Sequence, residues 1–182
     1  VGPVMHSRSG PERGHVGRVF VDEDLATGLL DGADAQALVP APLLFAAHVA
    51  YNAKVLAAAG GLDGGFCSGE AAVAELSMRL WRMGFNCCTT PEVGAWSELA
   101  LEDRADEDAE RLYDRLRLAA LHFDAPRLRT FTDQASRLPA YEQAAERLAA
   151  SDIEHRRAEI TAICPFSVAR YFELFPPSRR VS

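Results

Sequence analysis

Residues Ala57–Pro91 read AAAGGLDGGFCSGEAAVAELSMRLWRMGFNCCTTP and set the class of the fold. Val73, Leu76, Leu80 and Met83 recur at helical spacing, which predicts an amphipathic helix over Ala71–Met83. Gly84 follows at the place where a left-handed residue ends a helix, and Phe85–Thr90 then reads as a strand closed by Pro91. Glu75 and Arg79 stand at i, i+4 with the acid first, the favoured order for a solvent-exposed pair. Upstream, Asn52–Ala59 predicts a short helix stopped by Gly60-Gly61. Helix, turn and strand in succession imply an α/β layer.

Outward from this stretch, the N-terminal side is mixed. Val1–Val4 and Val19–Val21 have strand composition, and His6–Gly17 reads as a loop. Asp22-Glu23-Asp24 follows the second apolar run. Two carboxylates spaced as Asp22 and Asp24 are one way to hold a divalent metal on a diphosphate; they equally suit the first turn of a short helix over Leu25–Leu30. Leu38–Ala50 is an apolar segment broken by prolines, and His48 within it fits a hydrogen-bonded core residue or a ligand. Downstream, the pattern from Asp108 onward is helical. Asp124 caps a helix that opens with Ala125-Pro126 and runs to Leu138, and Ser151 with Glu154 has capping-box spacing. We place a boundary near Glu98, with an α/β part over 1–98 and an acidic loop and helical extension over 99–182.

Composition narrows the partners. A net charge of -7 at pH 7 argues against nucleic acid or an anionic membrane surface. No apolar run is long enough to span a bilayer. The start lacks the basic and apolar regions of a signal peptide, and its first residue, Val1, fits a fragment or an unusual start codon. Cys67, Cys87, Cys88 and Cys164 form no CxxC pair, which points to reduced thiols and a cytoplasmic location.

The segment GGLDGGF, then AELSMRLWRMGF, then a strand ending TTPEV, resembles the C-terminal half of bacterial family-2 glycosyltransferases. Among these it is most similar to members like the polypeptide N-acetylgalactosaminyltransferases. Gly60, Gly61, Asp63, Phe66, Glu75, Leu76, Ser77, Arg79, Trp81 and Gly84 carry the match. The resemblance implies a partial GT-A fold followed by a helical extension, with a hexosyltransferase-type reaction that moves a sugar from a nucleotide sugar to an acceptor hydroxyl. It implies Mn²⁺ or Mg²⁺ as cofactor, with Asp22 and Asp24 as metal candidates. It also implies a glycan, peptide or small-molecule acceptor, beside a loop containing His48, Gly60, Gly61 and Asp63.

The family's acidic pair falls on Ala72-Val73 in an ungapped match, and Glu70 becomes the catalytic carboxylate if two residues are inserted in the loop. A metal-binding His of the family falls near Ala95-Trp96, and its Gly-Gly-Cys loop near Ala46-Ala47-His48. The nucleotide-binding half has no counterpart here. The chain alone is therefore expected to be incomplete or degenerate as an enzyme, completed by a partner chain or self-associating through an incomplete sheet. A non-catalytic binding or assembly module on a remnant of the same fold is the alternative.

Overall fold

A computed structural model of the chain describes residues 1–7, 14–20, 25–32, 37–97 and 108–177. Five strands form one sheet: β1 (Gly2–Ser7), β2 (Gly14–Phe20), β3 (Thr27–Asp31), β4 (Val39–Pro40) and β5 (Cys88–Ser97), in the order β3-β2-β1-β5-β4. β1 runs parallel to β5, and the remaining pairs are antiparallel. The parallel pair requires a crossover, which α1 (Ala53–Ala58) and α2 (Gly69–Met83) supply. Five helices follow: α3 (Ala109–His122), α4 (Ala125–Ala135), α5 (Tyr141–Ala149), α6 (Ile153–Ile163) and α7 (Val168–Leu174). The expected mixed α/β architecture, with a partial sheet before a run of helices, is the one observed.

α2 forms where periodicity predicts it, and its ends explain its length. Ser68 Oγ accepts from Ala71 N at 3.1 Å, capping the start. Gly84 closes the other end at φ 90°. The helix buries two faces rather than the one that its apolar spacing marks. Val73, Leu76 and Leu80 pack with Ala41, Leu44, Ala59 and Cys87 on the sheet side. Met78 joins Phe20 and Leu43 in a second cluster with Leu112 and Leu116 of α3, Phe131 of α4 and Tyr171 of α7. This larger core therefore contains residues from both sides of position 98. Trp81 packs against both clusters and donates its indole N–H to Ala41 O at 3.0 Å.

Several local expectations are corrected. Leu25–Leu30 is not helical: residues from Thr27 onward pair with β2 as the edge strand β3. β5 does not stop at Pro91 but passes through it. The β1–β5 register jumps from Pro3–Thr90 to Val4–Gly94, so the residue lacking an N–H sits in a bulge. β1 reaches Ser7 and β2 starts at Gly14, which shortens the expected loop. Ser151 does not cap α6. The cap residue is Asp152, while Ser151 Oγ donates to Leu148 O at 2.7 Å. Asp124 does cap α4, accepting from Arg127 N at 3.0 Å.

The helix stop at Gly84 yields a test. A Cβ there would stand 3.2 Å from Phe166 Cε2, on a backbone that L-residues reach only at a cost. Gly84→Ala is expected to lower unfolding stability by about 1–2 kcal/mol in urea titration.

Candidate functional site

Glu75 and Arg79 are fully buried, which corrects the expectation of an exposed pair. Arg79 Nη2 donates to Glu75 Oε2 at 2.6 Å and to Gly61 O at 2.8 Å, while Nη1 donates to Ala59 O. The guanidinium thereby ties α2 to the turn where Gly60 and Gly61 take φ 78° and 74°. The other oxygen of Glu75 lies 3.0 Å from His122 Nε2 on α3, and His122 Nδ1 lies 2.7 Å from Arg82 Nη1. A guanidinium can only donate, so Nδ1 must accept. The proton of a neutral imidazole is then on Nε2 and points at Glu75. Burial favours the neutral ring, pushing His122 below its ordinary 6.5 against the opposing pull of Glu75.

A second network holds the Gly-rich loop. Arg117 of α3 donates to both oxygens of Asp63 at 2.9 Å and to Asp152 Oδ1 at 2.8 Å. Burial alone would raise the Asp63 carboxyl, but bonds from Arg117 and Gly65 N hold it below its ordinary 3.8. Gly65 is required by close approach, since a Cβ would fall 2.2 Å from Arg117 Cζ. One turn earlier on α3, Asp114 accepts from Cys67 N at 2.7 Å and from Ser68 N and Oγ at 3.0 and 2.9 Å. Asp114 thus fixes the residue that caps α2.

The consequence is a cleft of about 480 Å³ at the start of α2. Phe20, Leu43, Leu44 and Leu118 are among its apolar walls, and Glu70, Arg18, Arg111, Arg115 and Asp114 are the charged residues among the described ones that line it. Glu70 is exposed on the first turn of α2 and is, among the described residues, the one expected site residue that lines the cleft. Asp63 is buried and paired with Arg117. His48 is exposed, which removes a core role, and it does not line the cleft. Asp22 and Asp24 lie outside the described residues. Ala72 and Val73, where the family's acidic pair falls, are both buried.

Among the described residues no group of three or more His, Cys, Asp or Glu is placed to hold a metal ion. The four cysteines are free thiols, and burial pushes Cys87 up to about 12. Sequence reasoning missed the three cleft arginines. The signal was present in the spacing of Arg111 and Arg115, which puts both on one face of α3.

The fold is similar to that of GalNAc-T7, solved with UDP, GalNAc and Mn²⁺, at a TM-score of 0.62 and 16% identity over 94% of this chain. The match covers 34% of that chain, so the present one spans about a third of its length. No protein-family model matches, and no curated protein matches either. The likeness shows the fold: a mixed α/β, glycosyltransferase-like one. No described helix is long and apolar enough to cross a membrane.

The buried quartet makes two predictions. Glu75→Ala leaves Arg79 and His122 without their carboxylate and is expected to cost about 3–5 kcal/mol in urea unfolding, against about 0.5 kcal/mol or less for the exposed Glu70→Gln. The pH profile follows from His122. Its folded value is depressed, so the unfolded chain binds a proton that the native site refuses. Stability is then full above about pH 6.5 and declines as pH falls below it. The depressed Asp63 adds a further loss below about pH 3.8. His122→Gln should flatten the first of these slopes; an unchanged slope would assign it to other groups.

Proposed function

We propose that the chain supplies the acceptor side of a family-2-like glycosyltransferase that uses a nucleotide sugar, with Glu70 as the general base. The supporting observation is one of elimination within the cleft region. Asp63, Glu75 and Asp114 are spent on internal partners, and among the described residues Glu70 is the carboxylate left exposed in the cleft. An acceptor hydroxyl is a poor nucleophile until its proton is taken. Glu70 would accept that proton as the hydroxyl oxygen bonds to the sugar's anomeric carbon and the bond to the diphosphate breaks. The likeness to a structure solved with UDP, GalNAc and Mn²⁺ supports a nucleotide-sugar donor and a divalent metal. The described residues offer that metal no cluster, and the candidates Asp22 and Asp24 lie outside them. The donor would be held mainly by a nucleotide-binding half, upstream or in a partner chain, beside the sheet over 1–98. The free thiols fit a reducing, cytoplasmic setting.

A non-catalytic binding or assembly module is the second reading. It is favoured by the buried Ala72 and Val73 at the family's acidic pair, and by the wholly internal use of Glu75 and Arg79.

Calorimetry with a panel of UDP- and GDP-sugars and Mn²⁺, paired with a transfer assay, separates the two. Donor binding should be measurable, and Glu70→Gln should reduce transfer by about 10²-fold or more with donor affinity unchanged. Absence of heat for every donor rules out an autonomous enzyme and leaves the second reading. Transfer that survives Glu70→Gln removes Glu70 from the mechanism.

A further inference from the structure

We propose that the cleft takes an acceptor whose hydroxyl is carried on an apolar ring system, an aromatic or alicyclic alcohol, and not a free sugar. The proposal rests on the acceptor-side reading of this cleft and adds the class of substrate. Phe20, Leu25, Leu43, Leu44 and Leu118 are buried members of the apolar clusters, and the same five side chains line the cleft. The cavity is therefore an opening into the core. Ala71 and Ala74 form its α2 wall, one turn apart on a single helix face, and their small side chains leave the space unfilled. An apolar cavity of about 150 Å³ takes one benzene ring, so a cleft of about 480 Å³ that is partly open to solvent has room for about two rings.

The polar side chains around it are largely spent. Arg18, Arg111 and Arg115 each have partners within the protein, so they call for no anion from a ligand. Thr27 Oγ1 accepts from Arg18, and Ser68 Oγ accepts from Ala71 N and donates to Asp114. Among the described lining residues that leaves Glu70, exposed on the first turn of α2, as the polar side chain not so engaged. A free sugar carries a hydroxyl on nearly every carbon, and each one that leaves water needs a new partner. An apolar body with one hydroxyl needs a single acceptor, which Glu70 supplies. Leu25 is an independent sign. Its φ of 62° lies in the left-handed region, where a Cβ crowds the backbone. Such strain persists where packing over-determines a residue, and it gathers at ligand-binding walls. Leu25 both packs in the larger core and lines the cleft.

The ¹⁵N-labelled chain is titrated with 2-naphthol, 2-naphthoate, glucose and UDP, following amide shifts, at low and at near-physiological salt. 2-Naphthol should shift the amides of Leu25, Ala71, Ala74 and Leu118 and bind roughly tenfold or more tightly than glucose. Its affinity should change by less than about twofold with salt, since a neutral ligand has no charge to screen. Ala74→Leu fills the cleft and should weaken it roughly tenfold. Ala71→Leu is the second filling variant, and thermal melting confirms that each is folded. Glucose binding as tightly, 2-naphthoate binding more tightly than 2-naphthol, shifts elsewhere on the chain, or no shifts with 2-naphthol overturns the proposal. So does unchanged affinity in the folded filling variants, or binding of UDP in this cleft without 2-naphthol binding, which gives the cleft to the donor. None of these readouts needs transfer. Loss of the base assignment at Glu70 would leave this result standing, and failure here would leave that assignment to be decided by transfer alone.

Discussion

The Glu75 carboxylate is the constraint on which much of the fold depends. It lies fully buried, with one oxygen on Arg79 of its own helix and the other on His122 of α3. An ion in that position is costly unless every lone pair and proton around it is used. Arg79 also donates from its Nη atoms to the carbonyls of Ala59 and Gly61, though its Nε is buried without a hydrogen-bond partner, and Arg82 bonds His122 through Nη1 and Phe166 O through Nε. The bonds run from the turn after α1, through α2, to α3 and the start of α7. Apolar packing could bring these elements together in several registers. A carboxylate that needs both partners admits far fewer.

A second layer of pairing carries that order to the surface. Arg117 and Asp114 are three residues apart on α3 and grip successive parts of the 63–68 loop. Since Asp114 binds Ser68, and Ser68 caps α2, the position of Glu70 is set by α3 as much as by its own helix. The helices after position 108 therefore shape the cleft as well as cover the sheet. Arg157 adds to this by capping the end of α3, donating to Ala120 O at 2.6 Å and Phe123 O at 2.8 Å.

Local chemistry made much of the scaffold legible. The Asn52 cap, the Gly60-Gly61 stop, the Gly84 terminus and the Asp124 cap are each written in a few adjacent residues, and each forms as expected. What could not be read was tertiary. Glu75 and Arg79 at i, i+4 look the same whether water or α3 lies over them, and only the docking of His122 distinguishes the cases. Thr27–Asp31 is a strand because β2 offers it a ladder, which its own composition does not announce. Pro91 sits inside β5 because a bulge absorbs it. Of the candidate site, Glu70 was legible through its place before the helix. Arg18 was not, because it comes from a distant strand. Glu75, Ser77, Arg79 and Trp81, which carry the resemblance in sequence, are all engaged in internal bonds, so the motif marks a scaffold.

That claim is tested most directly by a double-mutant cycle between α2 and α3. Glu75→Gln, His122→Gln and the double variant are unfolded in urea at pH 7.5, and the coupling energy is taken from the three differences. A buried pair joining the two helices predicts a favourable coupling of about 1 kcal/mol or more. Additive effects, within about 0.3–0.5 kcal/mol, would mean that Glu75 and His122 act independently and that the motif does not hold the two helices together.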